Sequence, residues 1–310
     1  MANSVLKDWD SKKAAAFERE NIVAHHNVHE REMFNDEGLI RLLDQYPRER
    51  MGIYTMGHHP LDRQSFRAGN AFGLSGEELF RAVHDGRIWI NMRNANDYVP
   101  EYDELTRELF ASIEAETPGL KTIKHDTSIL ISSPNAQVFY HFDVPLVALW
   151  QIRGIKNVWL YPPEEPYLND LQLETVVLKE TEEEIDFDLS LDAGAQKVRL
   201  EPGMMATWPQ NGPHRIVNED MVNVSLSCEF QTVKSLVRAN AAYANGVLRR
   251  NFGMSPQIAK DSAPALYGKA FLARIFKILK VRKAFAYQVP RTFEVDLGSE
   301  HAVRDIQPMT

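Results

Sequence analysis

The sequence has a single cysteine, Cys228, so no disulfide can form within the chain. It has no uninterrupted apolar run of roughly 18 residues, the length that a membrane-spanning helix needs. Its charged amino terminus also lacks the apolar segment of a signal peptide. Basic residues are not in excess: the formal net charge is −8, whereas general nucleic-acid binders rely on clustered Lys and Arg. These absences predict a cytoplasmic protein that is not a general nucleic-acid binder.

The first part of the chain is predicted to be mostly helical. Ser75-Gly-Glu-Glu reads as a capping box, because a Glu follows three residues after the capping Ser. Asn35 or Asp36 can cap an earlier helix, and apolar residues recur at helical spacing from Tyr102 to Glu116. The composition, 44% hydrophobic and 25% charged, is that of a globular protein with a sizeable core.

From about Lys121 the pattern changes to short segments rich in β-branched and aromatic residues, which predict strands. Many short strands that follow a helical lead-in indicate an antiparallel barrel or jelly roll with flanking helices. Near Val233 the pattern becomes helical again. The chain therefore divides into a helical lead-in (1–120), a β core (121–232) and a helical end (233–310). The predicted strands are Thr127 to Ser132, Val138 to Ile152, Asn157 to Tyr161, Val198 to Leu200, Met204 to Trp208 and Met221 to Glu229.

The motif with the clearest chemistry is His141-Phe-Asp143, inside the second predicted strand, with His214 much later in the chain. Residues two apart in a strand project to the same face, so His141 and Asp143 can reach one point inside a barrel. Two histidines and a carboxylate that leave coordination positions open suit a non-haem ferrous ion. The three residues are therefore candidate metal ligands.

The residues around this motif carry a family resemblance. His141-Phe-Asp is followed by a strand that ends in Gln151-x-x-Gly-x-Lys156, by a second strand, and then by Pro-Pro. Later come Glu-Pro-Gly203, a strand that ends in Trp-Pro, and His214. This order resembles the JmjC and cupin-like 2-oxoglutarate oxygenases, especially their asparaginyl-hydroxylase-like branch, over about residues 120 to 230.

The resemblance implies a double-stranded β-helix, the jelly-roll core of the cupins. It also implies Fe(II), 2-oxoglutarate as cosubstrate and O2, with decarboxylation to succinate coupled to hydroxylation of a substrate C–H bond. Lys156 matches the lysine that pairs with the distal carboxylate of 2-oxoglutarate in such enzymes. No catalytic side chain is implied beyond the metal ligands. The alternative is a non-catalytic cupin-like protein that binds a ligand or acts as a regulator.

The sequence departs from the family pattern at two positions. Met204 follows Gly203, where relatives often have Asp, and Val138 stands where some relatives place a Thr that hydrogen-bonds the cosubstrate. Another hydroxyl group must then help to bind 2-oxoglutarate. The candidates are Tyr140, Ser132, Ser225 and Ser227.

Charge is unevenly distributed along the second half. The stretch from Glu180 to Asp192 is strongly acidic and is interpreted as a solvated loop, with a partner-binding surface as the alternative. Between Ser262 and Phe293 there is no acidic residue, and an apolar helical face is accompanied by several cations. A homodimer through this face, contact with an anionic inner-membrane surface and recruitment of an acidic macromolecule all stay open. The basic residues are Lys269, Arg274, Lys277, Lys280, Arg282, Lys283 and Arg291.

The substrate is not specified by these patterns. Proteins of the resembling family hydroxylate protein side chains, demethylate methyl-lysine, or modify small molecules and saccharides with the same metal ligands. A protein side chain, a small molecule and a lipid-linked saccharide therefore all remain candidate substrates.

Overall fold

The computed structural model describes residues 4–181, 183, 185–282 and 289–309. Two of its helices, those that follow Asn35 and Ser75, begin where the capping signals predict. The Asn35 side chain accepts a hydrogen bond from Gly38 N, and Ser75 and Glu78 form the predicted capping box. The helices are α1 (Ser11–Ala16), α2 (Asp36–Gln45), α3 (Gly76–Asp85), α4 (Ala95–Tyr98), α5 (Pro100–Glu116), α6 (Asp170–Val177), α7 (Val233–Phe252) and α8 (Ala263–Ile278).

The described residues also form fourteen strands in two sheets. They are β1 (Ile22–His25), β2 (Gly52–Thr55), β3 (Arg67–Asn70), β4 (Trp89–Met92), β5 (Ile123–Ser132), β6 (Gln137–His141), β7 (Leu146–Arg153), β8 (Lys156–Leu160), β9 (Gln196–Leu200), β10 (Met204–Thr207), β11 (His214–Asn218), β12 (Asn223–Gln231), β13 (Arg291–Val295) and β14 (Val303–Met309). The larger sheet has the order β1-β10-β7-β12-β5-β4-β2-β3-β13-β14, and the smaller one β6-β11-β8-β9.

The eight strands β5 to β12 form the jelly roll. Four of them, β10-β7-β12-β5, lie side by side in the larger sheet, and the other four make the smaller sheet. Apolar side chains from both sheets, among them Leu149, Val158 and Ile216, form one buried cluster between them. The predicted jelly-roll core is confirmed.

The other face of the larger sheet packs against the N-terminal helices. Trp150 and Leu226 on this face belong to the same buried cluster as Leu39, Leu79 and Leu109 of the helices. Side chains alternate between the two faces along each strand, so these strands have one row of residues toward the helices and one toward the jelly-roll interior. Both faces of these strands are therefore buried, one by the helices and the other by the smaller sheet.

The strand β11, which begins at His214, was not among the predicted strands, and three further features of the fold differ from the sequence prediction. Residues 1–120 are less helical than predicted, because β1 to β4 all join the larger sheet. The predicted strand Val138 to Ile152 is two strands, β6 and β7, separated by a turn. The C-terminal part ends in the hairpin β13-β14, which pairs in parallel with β3 and was not predicted. The division into three segments stays a prediction.

The acidic stretch is only partly solvated. Glu180 forms ion pairs with Arg250 and Arg282, and Asp192 pairs with Arg215. Glu182 and Glu184, like the cation Lys283, lie outside the described residues. Part of the stretch therefore ties α6 to the C-terminal helices instead of forming a free loop.

None of the helices in the described ranges combines the length and apolar character required to cross a membrane.

Candidate metal centre and its cavity

The three candidate ligands converge where β6 ends and β11 begins. These strands pair antiparallel, with His141 opposite His214. One ligand atom from each of His141, Asp143 and His214 lies within 4.8 Å of the others. Nε2 of His214 is 3.5 Å from a carboxylate oxygen of Asp143, and the two imidazole centroids are 4.1 Å apart. The fold thus brings together the residues that the sequence singled out.

Backbone carbonyls orient both imidazoles. Nδ1 of His141 lies 2.7 Å from the Phe139 carbonyl oxygen, and Nδ1 of His214 lies 3.1 Å from that of Gly212. A carbonyl can only accept a hydrogen bond, so each Nδ1 carries the proton and each Nε2 keeps a free lone pair. Metal-binding histidines are typically held in this way.

The electrostatic environment disfavours charge on His214 and Asp143 unless a cation is present. Burial lowers the pKa of His214 well below its usual value, and the neighbouring His141 lowers it further. Burial also raises the pKa of Asp143, an effect that His141 opposes and Glu183 reinforces. A bound divalent cation reverses this balance for the carboxylate. Two neutral imidazoles and one carboxylate fit Fe(II).

A cavity of about 610 Å³ opens in front of the three ligands. This volume is in the range of pockets that hold small molecules or a single side chain. One wall is aromatic: the Tyr54 and Phe66 rings stack with centroids 5.0 Å apart, and Trp89 lies 5.0 Å from Tyr54. The polar lining consists of Asn91, Arg93, Ser128, Lys179, Thr181, Glu183, Ser227 and Glu229, beside the ligands.

Several of these lining residues were not identified from the sequence. Asn91 and Arg93 come from the end of β4, and Glu229 from β12, far from the metal motif. Oδ1 of Asn91 is buried and has no hydrogen-bond partner among the described residues, so it can accept a hydrogen bond from a bound molecule. For Ser128 the sequence did contain a signal, the alternation of residues along β5 and β12. Pairing of these two strands puts Ser128 directly opposite Ser227.

Lys156 lies in the jelly-roll interior but does not line this cavity. Its register partners are Asn218 on β11 and Leu200 on β9, and it shares a strand face with Val158 and Leu160 of the interior cluster. The residue is 3% exposed. Within the described ranges no side chain or backbone group makes an ion pair or hydrogen bond with its ammonium group.

A buried lysine without a counter-charge is unfavourable. Burial alone lowers the pKa of Lys156 to about 7 from its ordinary 10.5. Buried charges in proteins are normally paired. The residue therefore fits a site for an anion that binds inside the jelly roll.

The four candidate hydroxyl groups lie in different environments. Ser227 lines the cavity. The hydroxyl of Tyr140 faces away from it and donates to the Tyr167 carbonyl at 2.8 Å. Ser225 donates to Gln151 Oε1 at 2.7 Å, and Ser132 accepts from the side chain of Asn218. Tyr140, Ser225 and Ser132 thus have protein partners, and we leave them out of the cosubstrate site proposed below. Val138 does line the cavity.

Comparison with known proteins shows which solved structures share this fold. No family model and no curated protein matches the chain. An X-ray structure of E. coli ycfD aligns with a TM-score of 0.51 and 15% identity, over 90% of this chain and 69% of that one. The chain has the ycfD fold. Two further structures, described as E. coli ribosomal oxygenase YcfD, align with TM-scores of 0.48 and 0.45 at 14% and 16% identity. They are covered over 68% and 64% of their length, with 90% and 84% of this chain aligned, and the second contains cobalt and 2-oxoglutarate.

Proposed function

We propose that this chain is an Fe(II)- and 2-oxoglutarate-dependent oxygenase that hydroxylates a substrate C–H bond. The proposal is based on the convergence of His141, Asp143 and His214 in the lining of one cavity, with both Nδ1 atoms held by backbone carbonyls. Iron bound there would couple the oxidation of 2-oxoglutarate by O2 to oxidation of the substrate. The protein's own contribution is to bind, orient and exclude water.

The proposed roles of the residues follow from their positions. His141, Asp143 and His214 would hold the metal and leave the cavity side open to ligands. Lys156 would pair with the distal carboxylate of 2-oxoglutarate, which would supply an anion that the described residues do not offer this buried cation. Ser227 would donate a hydrogen bond to the cosubstrate from the cavity wall. No side-chain acid or base is needed beyond these groups.

An anaerobic titration tests this proposal. Fe(II) and 2-oxoglutarate added together should produce the weak visible charge-transfer band of the chelate with the wild type. The His141→Ala variant should lose the band, because it removes an imidazole ligand. His84→Ala is the matched control, since the His84 side chain is 71% exposed on α3 and should not change the spectrum.

The same titration separates the two readings of the protein. No band with the wild type, or an undiminished band in His141→Ala, would sink the oxygenase proposal and favour a non-catalytic cupin-like protein. If the band appears as expected, succinate formation under O2 is measured with each candidate substrate pool. The pool that raises it furthest above the uncoupled background contains the best substrate. A protein side chain comes first, because the E. coli YcfD of the structural comparison is described as a ribosomal oxygenase. Small molecules and lipid-linked saccharides follow.

The partner of the C-terminal helices stays a prediction, with a second copy of the chain, an anionic membrane surface and an acidic macromolecule as the alternatives. Along α8 the residues Tyr267, Phe271 and Ile278 are 57%, 67% and 75% exposed, and the cations Arg274 on the helix and Lys280 just after it are also exposed. Such a face suits a second copy of the chain or an anionic membrane surface. Light scattering after size-exclusion chromatography tests the dimer, and flotation with anionic and neutral vesicles tests the membrane. A Phe271→Glu variant should weaken whichever contact forms.

A further inference from the structure

The position of Asp143 is not explained by its strand. The sequence predicts that His141 and Asp143 share a strand face, but β6 ends at His141 and β7 begins at Leu146. Asp143 therefore lies in the turn between the two strands, where the pleat does not orient its side chain. Pro145, in the same turn, has no N–H with which to hold the backbone. Other contacts must place this carboxylate beside the imidazoles.

Two side-chain amides hold the turn from the opposite side. Nδ2 of Asn211 donates to the Asp143 carbonyl oxygen at 3.1 Å and approaches that of Val144 at 3.5 Å. Nε2 of Gln210 donates to the Val144 carbonyl at 2.9 Å and to the Ser235 carbonyl in α7 at 3.1 Å. Consecutive carbonyls of the turn are thus bound by consecutive residues of one loop.

The same loop also orients the distal histidine. Asn211 has a left-handed backbone with φ of 64°, which Asn adopts more readily than most residues. The turn continues into Gly212, whose N–H donates to the Pro209 carbonyl at 2.9 Å and whose carbonyl accepts from Nδ1 of His214. A Cβ at Gly212 would lie 3.0 Å from the Pro209 oxygen, so the turn is tight. Asn211 therefore contacts the backbone of one ligand and shapes the support of another.

We infer that Asn211 is a positioning residue of the metal centre, because it helps to place both Asp143 and His214. Its amide sets the backbone of Asp143, and its left-handed turn aims the carbonyl that holds His214. The side chain is buried, 3% exposed, so the contact is shielded from competition with water. The inference rests on the proposed metal centre and assigns a role to a residue that touches neither metal nor substrate.

Asn211→Gly is the sharpest test, because Gly retains the left-handed turn while the amide is lost. Asn135→Gly is the matched control: Asn135 also has a positive φ, of 59°, but its amide donates to exposed Asp220 far from the ligands. Co(II) is the probe, with affinity measured by calorimetry and ligand geometry by the visible absorption of the bound ion. Thermal unfolding of the metal-free proteins measures the purely structural contribution of each Asn.

We expect Asn211→Gly to bind Co(II) roughly 10- to 100-fold more weakly, as for other groups that orient metal ligands, and with an altered spectrum. Its metal-free melting temperature should match that of Asn135→Gly. Wild-type affinity and spectrum in Asn211→Gly would overturn the inference alone. So would loss of the metal-free fold, because the amide would then serve stability. Failure of the wild type to bind Co(II) would overturn the proposed function as well.

Discussion

Replacing Lys156 with Met should stabilise the ligand-free protein and abolish tight binding of 2-oxoglutarate. Met fills a similar volume without a charge, so the change removes a buried cation that has no partner among the described residues. Removing one member of a buried charge pair costs about 2 to 5 kcal/mol, so the affinity for 2-oxoglutarate should fall at least about 30-fold. The stabilisation depends on pH in a defined direction.

The pKa of Lys156 is lowered from 10.5 to about 7, so the unfolded chain holds a proton that the folded chain releases between these values. The destabilising contribution is thus fully present below pH 7, shrinks as the pH rises, and is absent above pH 10.5. At 1.36 kcal/mol for each tenfold change in the proton equilibrium, its upper limit is on the order of 4 to 5 kcal/mol at low pH. Near pH 9.5 about 1 kcal/mol should remain.

Urea unfolding at pH 6.5 and pH 9.5 measures this difference between the variant and the wild type. Lys121→Met is the control, because the Lys121 side chain is 85% exposed and should respond little at either pH. Calorimetry with 2-oxoglutarate and Co(II) measures the affinity. A Lys156→Met protein that is no more stable than the wild type at pH 6.5, or that retains wild-type affinity for 2-oxoglutarate, would contradict the role of Lys156 as an unpaired anion site.

The structure predicts that substitutions of two serines of β12 change different quantities, and that substitution of one glutamate greatly lowers the free energy of unfolding. Ser225→Ala should lose about 1 to 3 kcal/mol in urea unfolding, because it leaves Gln151 Oε1 buried without its donor, and should keep the KM for 2-oxoglutarate. Ser227→Ala should raise the KM for 2-oxoglutarate and leave the free energy of unfolding nearly unchanged. If both variants changed the same quantity, that result would contradict the proposed cosubstrate site. Glu174→Gln should cost about 3 to 5 kcal/mol, because this 1% exposed carboxylate pairs with two arginines of α7. Unfolding midpoints that stay at the wild-type value would contradict that ion-pair network.

Features with short-range causes were predicted well. The capping side chain of Asn35 and the capping box at Ser75 involve residues no more than three apart, so the sequence contains both partners. Most of the jelly-roll strands were predicted with errors at their ends, but β11, which begins at His214, was not predicted at all. The break at residues 142–145 was missed because the apolar residues on both sides read as one continuous strand, although Pro145 lies within it.

Features that need a distant partner were missed. The segment Arg67–Asn70 has no strand-like alternation and becomes β3 only because β2 and the C-terminal β13 pair with it. Arg93 and Glu229 lie in segments with no motif, and they meet at the cavity because β4, β5 and β12 are neighbours in the sheet. Pairing between strands depends on long-range contacts that local propensity does not encode.

The sequence alone identified the types of donor at His141, Asp143 and His214, which follow from residue chemistry, and Lys156 as a candidate anion site, which follows from the family resemblance. The three-dimensional fold was needed to show that Lys156 is buried with no partner among the described residues and that the Tyr140 hydroxyl is turned away from the cavity. It also decided that Asp143 is held by Asn211 and not by its own strand. The physical reason is that a donor atom's chemistry belongs to its side chain, whereas its burial, partners and direction belong to the residues that folding brings beside it.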